Sequence, residues 1–422
     1  MKRMWAFSVL CLVGVVVQGA EFPVESDTYG VSDTEITIGT SAAFSGASRE
    51  LGIELYQGAQ TCFDDVNSRG GIFGRKIVMK LYDDAYSPAL TIGNTISLLE
   101  EDKVFLLFNY VGTPTVTRIL PLLKRDEKHS SILFCPFTGA QPQREAPYEK
   151  FVFNLRASYR EETAGLVTHL VESGRKRIAV FYQADAYGRS GWDGVNRALT
   201  KFGLKRCGEA SYTRGTAFTA SMKEQVKIIL ESQPDAIISI GSYAACAAFI
   251  RDTRNAGCDA PIANLSFVGS DSLSLLLIEA GKNSGKDYTR GLINSQVVPS
   301  YADNSIPAVA EYRTLMRQYH PPPPSALVKD GYDPFEFSFV SFEGYLNAKL
   351  LIQVLQRMGP HPRRSAISTA TEQIKDLELG IQAPVSFSST EHQALHTVFY
   401  TTIRNKKLSP ISDWSEWKGS AP

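Results

Sequence analysis

The chain has 422 residues, of which 43% are hydrophobic and 21% are charged, so it is a globular protein with room for two or three domains. This composition excludes an intrinsically disordered chain, which would combine low hydrophobicity with high net charge. The 44 basic and 44 acidic residues cancel, which argues against a nucleic-acid-binding protein, because such proteins need a basic face.

The N-terminus is typical of a secretory signal peptide. Two basic residues, Lys2 and Arg3, precede an almost continuous apolar run at 6–17, and small residues follow before Glu21. The apolar run is shorter than the roughly 20 residues that a membrane-spanning helix needs. We therefore predict a signal peptide at residues 1–20 and an exported mature protein. The alternative is a retained membrane anchor.

Five cysteines follow the predicted signal peptide, namely Cys62, Cys135, Cys207, Cys246 and Cys258. An odd number leaves at least one free thiol in an exported protein. No pair has CxxC or zinc-ligand spacing, so the sequence gives no basis for a disulfide, a zinc site or a catalytic thiol. Cys62 and Cys246 fall among apolar residues of predicted helices, and we expect both to be buried.

Short apolar runs and helical segments alternate along the first half of the mature chain. The apolar runs are bounded by turn residues and are typical of buried strands. Predicted strands lie at 36–40, 76–82, 104–109 and 131–134, and predicted helices at 51–67, 88–101 and 114–127. Helical crossovers between apolar strands indicate a parallel sheet that is covered on both faces.

The second half repeats this alternation after a crossing segment at 151–157. Predicted strands lie at 177–182, 208–212, 236–240, 262–268, 291–298 and 394–404, and predicted helices at 161–173, 187–202, 308–319, 334–358 and 364–377. Two alternating halves predict an α/β fold with two doubly wound parallel-sheet lobes. The helices after the second half, followed by a lone strand, indicate that the chain returns to the first lobe and then crosses again.

Sequence signatures of common enzymes and cofactor sites are absent. The chain has neither a GxxxxGK[ST] phosphate loop nor a GxSxG nucleophile elbow. His392 and His396 have no acidic partner at zinc-ligand spacing, and we interpret Asp83 and Asp84 as the solvated end of a strand. We therefore expect no cofactor, no metal ion and no catalytic residue. An exported α/β enzyme remains the alternative.

Polar residues follow the predicted strands at their carboxyl ends, where an open α/β sheet binds its ligands. The first-half segments are rich in Gly, Ser and Thr, which suits an anion. The second-half segments offer two carboxylates and two tyrosines, which suits a cation. A small ligand with both charges would bridge the halves; the alternative is that the segments are ordinary helix N-caps. The segments lie at 44–46, 109–113 and 137–139, and at 185–188, 241–243 and 269–271.

Several short motifs of the chain also occur together in one family of exported proteins. They are the stretch 30–39, Ser45-Gly46, Leu51-Gly52, Gly58-Ala59, Asp65-Val66-Asn67, Gly70-Gly71-Ile72, Tyr82-Asp83-Asp84 and Pro136-Phe137-Thr138-Gly139-Ala140. Each motif is weak alone, and together they are specific. The chain thereby resembles the type I periplasmic solute-binding proteins of ABC transporters, in particular the leucine/isoleucine/valine-binding group, over nearly its whole mature length.

The resemblance implies two α/β lobes that are joined by three crossing segments and close on a ligand. It places lobe 1 at 31–155 plus 295–385 and lobe 2 at 156–294 plus 386–415. It further implies a monomeric, non-enzymatic periplasmic protein that captures an amino acid, branched-chain or related, and delivers it to an ABC permease in the inner membrane. A sensor for amides, urea or organic acids that acts through a partner protein is the alternative within this fold.

The resemblance also implies a set of ligand contacts. A ligand carboxylate would be held by Gly112, Thr113, Phe137, Thr138 and Gly139, its ammonium by Tyr243 and Asp271, and the rest of it by Tyr187 and Leu51. Four features depart from the branched-chain binders. Asp271 replaces a longer glutamate, Gly112 replaces a serine, the threonine of the carboxylate loop lies one position earlier, and Tyr86 and Val111 stand in place of a cysteine pair. The ligand therefore stays open between an amino acid, an amide, urea, an aromatic acid and a short peptide.

Overall fold

The computed structural model describes residues 26–328 and 331–417, so the predicted signal peptide lies outside the described residues. The first lobe is formed by β1 (Glu35–Ala42), α1 (Arg49–Ser68), β2 (Lys76–Asp83), α2 (Pro88–Ile96), β3 (Leu107–Phe108), α3 (Thr113–Arg125), β4 (Leu133–Phe134) and β5 (Val152–Phe153). Within the described chain these strands form a parallel sheet of order β2-β1-β3-β4-β5. From β3 to β5 every strand residue is buried, as expected for a sheet covered by helices on both faces.

The second lobe repeats this plan along a longer sheet. Its elements are α4 (Tyr159–Glu172), β6 (Ile178–Gln183), α5 (Ala186–Lys201), β7 (Gly208–Tyr212), α6 (Lys223–Glu231), β8 (Ala236–Ile240), α7 (Tyr243–Asn255), β9 (Ile262–Asn264), α8 (Ser270–Ser284) and β10 (Leu292–Gln296). The strands from β6 to β10 are parallel, and all residues of β8, β9 and β10 are buried. The predicted lobe boundary at 294–295 falls within β10.

The chain then returns to the first lobe, as the sequence indicated. The returning elements are α9 (Pro307–Tyr319), α10 (Phe339–Met358), α11 (Ile367–Glu372) and a small hairpin of β11 (Leu377–Glu378) and β12 (Pro384–Val385). Helix α10 packs against α1. The chain ends with β13 (Phe399–Arg404) and β14 (Lys407–Pro410), which extend the second sheet to the order β14-β13-β10-β9-β8-β6-β7. The last predicted strand is thus not alone, because it forms an antiparallel hairpin.

The predicted α/β fold with two lobes is confirmed, whereas several element boundaries are wrong. The predicted strand at 262–268 ends at Asn264 and continues as a 3₁₀ turn, Ser266–Val268. The predicted helix at 334–358 begins only at Phe339, because the hydroxyl of Ser338 caps its first turn. Apolar composition predicted burial correctly in both places, but it does not distinguish a strand from a buried turn.

Within the described chain, three segments connect the lobes. The first, around Asn154, runs beside the third: its backbone N–H donates to the carbonyl of His392 (2.8 Å) and its carbonyl accepts from Ala394 (2.9 Å). The second follows β10. His392 and His396 belong to the third segment and lie before β13 rather than at its start.

The described residues include no helix that is both long and apolar enough to cross a membrane. In the same residues, no group of three or more His, Cys, Asp or Glu side chains could hold a metal ion. The five described cysteines are free thiols. Cys62 and Cys246 are buried, which confirms the expectation for both, and burial raises the pKa of each thiol.

Candidate ligand-binding cleft

The loops at the carboxyl ends of the two sheets meet across the boundary between the lobes. The phenol of Tyr86, which follows β2, accepts a hydrogen bond from Gln183 Nε2 at the end of β6 (3.3 Å). Phe137, which follows β4, faces Phe267, which follows β9, with 5.4 Å between ring centroids. Loops of both lobes therefore meet at one cleft, and the structure is closed over it.

Hydroxyl groups of both lobes converge at the inner end of this cleft. Thr113 Oγ1 and Thr138 Oγ1 share a hydrogen bond of 2.7 Å. The phenol of Tyr159 approaches both threonines without hydrogen-bond geometry, and the Tyr187 ring lies 5.1 Å from the Tyr159 ring. The hydroxyls of both tyrosines are fully buried and have no partner. Burial raises the pKa of both phenols, so they remain protonated donors.

Local structure fixes the position of Tyr159, which the sequence analysis missed. It is the first residue of α4, whose start is set by a capping box between Ser158 and Glu161. Its N–H donates to the carbonyl of Gly139 (2.7 Å), and a Cβ on Gly139 would lie only 2.5 Å from Tyr159 Cδ1. Gly139, predicted as a carboxylate contact, therefore provides the space in which the Tyr159 ring lies.

Three backbone N–H groups of the predicted first-lobe site segments already donate within the protein. The N–H of Gly112 donates to the carbonyl of Phe137 (3.1 Å), and the N–H of Phe137 donates to the carbonyl of Tyr110 (2.8 Å). The N–H of Thr138 donates within its own turn, to the carbonyl of Pro136 (2.9 Å). Hydrogen bonds within the protein therefore occupy the N–H groups of Gly112, Phe137 and Thr138.

A second group of predicted residues lies near the start of α1. The side chain of Leu51 approaches Gly269, and the phenol of Tyr243 accepts a long hydrogen bond from the N–H of Glu50 (3.5 Å). Asp271 lies two residues after Gly269. One of its carboxylate oxygens accepts a hydrogen bond from Tyr301 OH (2.6 Å), and the other accepts one from the N–H of Phe339 (2.9 Å). Burial raises the pKa of Asp271 to about 6. Its carboxylate thus connects α8 of the second lobe to the first residue of α10 in the first.

Tyr86 and Phe267 are cleft residues that the sequence analysis did not place in the site. Tyr86 is held by a buried turn, because its N–H donates to Asp84 (2.8 Å), and Asp84 also accepts from Ser41 Oγ (2.8 Å) and Thr91 Oγ1 (3.1 Å). Asp84 is fully buried, and burial raises its pKa to about 7. The prediction that Asp84 is solvated is wrong, since a strand-end carboxylate can be buried when three donors satisfy it.

Comparison with known proteins identifies the family. The model of the periplasmic binding protein family matches residues 35–407, which is most of the chain. The chain belongs to this family. A solved structure of a possible leucine/isoleucine/valine-binding protein from Rhodopirellula baltica is 30% identical, with a TM-score of 0.80 over 92% of this chain and 98% of that one. Leu/Ile/Val-binding protein homolog 3 of Brucella melitensis is 24% identical over 65% of this chain and 74% of its own. The leucine-specific-binding protein of Salmonella typhimurium is 25% identical over 71% and 84%.

In this periplasmic binding protein a buried ionic cluster lies where the crossing segments meet. Arg156, in the first segment, donates to Ser266 Oγ and lies 3.7 Å from Glu162 Oε1 and 3.5 Å from Glu343 Oε1. All three charged side chains are almost fully buried. The Arg156 guanidinium also stacks over the Phe137 ring, 4.6 Å from its centroid. Arg156, in a segment that connects the lobes, therefore also contacts Phe137 in the predicted ligand-binding loop.

A pH dependence follows from Glu54, a buried residue of α1 that accepts from Tyr332, Phe335 and Ser338. Burial raises its pKa from 4.5 to about 7. A raised pKa in the folded state means that the stability Glu54 contributes is complete below about pH 4.5 and is lost as the pH rises through about 7. Relative to Glu54→Gln, the wild type should lose up to about 1.4 kcal/mol per pH unit across this window. Urea unfolding at several pH values measures the difference, and parallel pH profiles would contradict it.

Proposed function

We propose that this protein is the exported substrate-binding component of an ABC importer. It holds a small solute with a carboxylate between its lobes and delivers it to a permease in the inner membrane. Membership of the family supports a substrate-binding role rather than catalysis. The relatives named for leucine, isoleucine and valine make amino acids the first ligand class to test. A sensor with a partner protein would use the same cleft.

The observation that carries this proposal is the pair of buried phenols without acceptors, Tyr159 and Tyr187, beside the hydroxyl pair of Thr113 and Thr138. A buried donor without a partner costs about 1–3 kcal/mol, so these donors favour an incoming acceptor. A carboxylate accepts several hydrogen bonds at once and is the group that suits such a set.

Ligand-dependent closure follows from the origin of these donors. Tyr187 belongs to the second lobe, whereas Thr113 and Thr138 belong to the first. A carboxylate that contacts both sides binds the closed state better than the open one, and this difference in affinity shifts the population toward closure. Hydrogen bonds to a charged group contribute about 1.5–3 kcal/mol each, and micromolar binding requires about 8 kcal/mol in total.

Removing either phenol hydroxyl tests the proposed function. We expect Tyr187→Phe and Tyr159→Phe each to weaken binding of a carboxylate ligand by tenfold or more, which corresponds to about 1.4 kcal/mol. The unliganded variants should be at least as stable as the wild type, because each loses an unpaired buried hydroxyl. A thermal-shift screen of L-leucine, related amino acids, organic acids and their amides identifies the ligand, and calorimetry gives the affinities.

Tyr182→Phe provides the matched control, since Tyr182 is a partly buried tyrosine of the neighbouring strand β6. It should leave the affinity unchanged. Equal affinities in the wild type and both phenol variants would refute a carboxylate site at these hydroxyls.

A further inference from the structure

We propose that the solute is an aromatic carboxylate whose ring is clamped between Tyr86 and Phe137 of the first lobe and Phe267 of the second. This inference rests on the proposed function and narrows the ligand class from carboxylates to aromatic carboxylates. Binding of such a ligand does not require an α-ammonium group.

Phe267 is the centre of an aromatic cluster that spans the cleft. Its ring centroid lies 5.4 Å from that of Phe137, 5.8 Å from that of Tyr86 and 4.7 Å from that of Tyr187. All four rings are buried. Because Phe267 is on the second lobe, opening of the lobes separates its ring from Tyr86 and Phe137 and exposes two aromatic faces to an incoming ligand. A planar ring inserted there gains aromatic contacts of about 0.5–1.5 kcal/mol each.

The contacts that hold Tyr86 in the closed structure come from both lobes. Asp84 of the first lobe accepts from the N–H of Tyr86 and holds its backbone in the buried turn. Gln183 Nε2 donates to the phenol of Tyr86, and the guanidinium of Arg214 lies over its ring, 5.6 Å from the centroid; both residues belong to the second lobe. Opening of the lobes therefore separates these second-lobe groups from the Tyr86 ring, while Asp84 still holds its backbone.

The aromatic cluster is continuous with the hydroxyl cluster that receives the carboxylate. Tyr187 contacts Phe267 with its ring at 4.7 Å and Tyr159 at 5.1 Å, so the two clusters are one ring apart. A ligand that reaches both must therefore carry its carboxylate on the ring or within a few carbon atoms of it.

Second-lobe carboxylates that could receive an ammonium already accept hydrogen bonds from the protein. Asp271 accepts from Tyr301 and Phe339, Asp185 accepts from the N–H of Tyr187 and from Gln183 and pairs with Arg214, and Glu162 accepts from Ser266 and Ser295. A ligand ammonium would have to compete with these donors. A carboxylate without an ammonium leaves all of them in place, so the cleft favours an acid over the corresponding amino acid.

The test compares ligands that differ in one group. The probes are 3-phenylpropionate and L-phenylalanine, which differ only in the ammonium, together with benzoate, 4-methylpentanoate and L-leucine. We expect calorimetry on the wild type to give tenfold or tighter binding for 3-phenylpropionate than for L-phenylalanine, and tighter binding for the aromatic acids than for 4-methylpentanoate. This comparison needs no variant, so it does not depend on the folding of a mutant.

Phe267→Leu then tests the clamp itself. This substitution should weaken binding of the aromatic acids about threefold to tenfold and should change the affinity for 4-methylpentanoate little. The control is Phe202→Leu, at an exposed phenylalanine, which should change neither affinity. If L-leucine or L-phenylalanine binds at least as tightly as the aromatic acids, and Tyr187→Phe still weakens it, this inference is wrong and the proposed function stands. If no carboxylate binds at all, both are wrong.

Discussion

Replacing Arg156 by methionine is expected to lower the free energy of unfolding by about 3–5 kcal/mol, because it leaves buried carboxylates without their cation. Glu162 and Glu343 lie 3.7 and 3.5 Å from the Arg156 guanidinium, and both carboxylates are buried. Methionine roughly preserves the volume of the aliphatic part of the side chain, so the effect reports the charge rather than a cavity. Chemical denaturation at neutral pH measures it.

The loss in Arg156→Met should grow as the pH rises. Burial already raises the pKa of Glu343 to about 7 with Arg156 present, and without the guanidinium this pKa must rise further. A carboxyl whose pKa is raised in the folded state lowers the free energy of unfolding as the pH increases up to that pKa. The variant should therefore continue to lose stability above about pH 7, where the wild type no longer loses stability through Glu343.

The control for Arg156 is an exposed ion pair. Arg197 pairs with Asp193 one helical turn away on α5, with 60% and 43% of the side chains exposed. Arg197→Met should cost less than about 1 kcal/mol. If Arg156→Met costs no more than this control, the buried cluster does not stabilise the junction between the lobes.

The alternation of strands and helices was sufficient to predict the two lobes, because each buried strand carries an apolar run that is visible locally. Arg156 illustrates what local sequence cannot provide. Its partners are six and 187 positions away, at Glu162 and Glu343, and nothing in the segment around it distinguishes a buried arginine from a solvated one. The same limit applies to Asp84, whose burial depends on donors from Ser41 and Thr91 on neighbouring elements.

The candidate site was predictable only in part. Thr113, Thr138 and Tyr187 are polar residues at strand ends, and that pattern is enough to place them at the cleft. Tyr159 and Phe267 carry no such signal, since one begins a helix after a crossing segment and the other lies in a turn within an apolar run. Their roles depend on contacts between lobes, which only the assembled fold defines.

Gly112→Ala is expected to destabilise the first lobe by about 2–6 kcal/mol and to abolish ligand binding. Gly112 has a φ of 101°, where a side chain costs about 1–3 kcal/mol. A Cβ there would lie 2.1 Å from Cε2 of Tyr86, and such overpacking costs typically 1–3 kcal/mol more. The added methyl would push the Tyr86 ring off the cleft wall, so binding should fail together with stability. Gly93→Ala, in α2 with open space around the site, should be neutral or slightly stabilising.

A double-mutant cycle separates the two causes. In a Tyr86→Ala background the new methyl meets no ring, so Gly112→Ala should cost only the backbone strain, and the coupling between the two positions should be about 1–3 kcal/mol. A coupling near zero would mean that Tyr86 moves aside freely and is not a fixed wall. Position 112 is where the resemblance places a serine in the branched-chain binders, and a serine would meet the Tyr86 ring in the same way. In this chain the glycine at position 112 is therefore what leaves room for the Tyr86 ring.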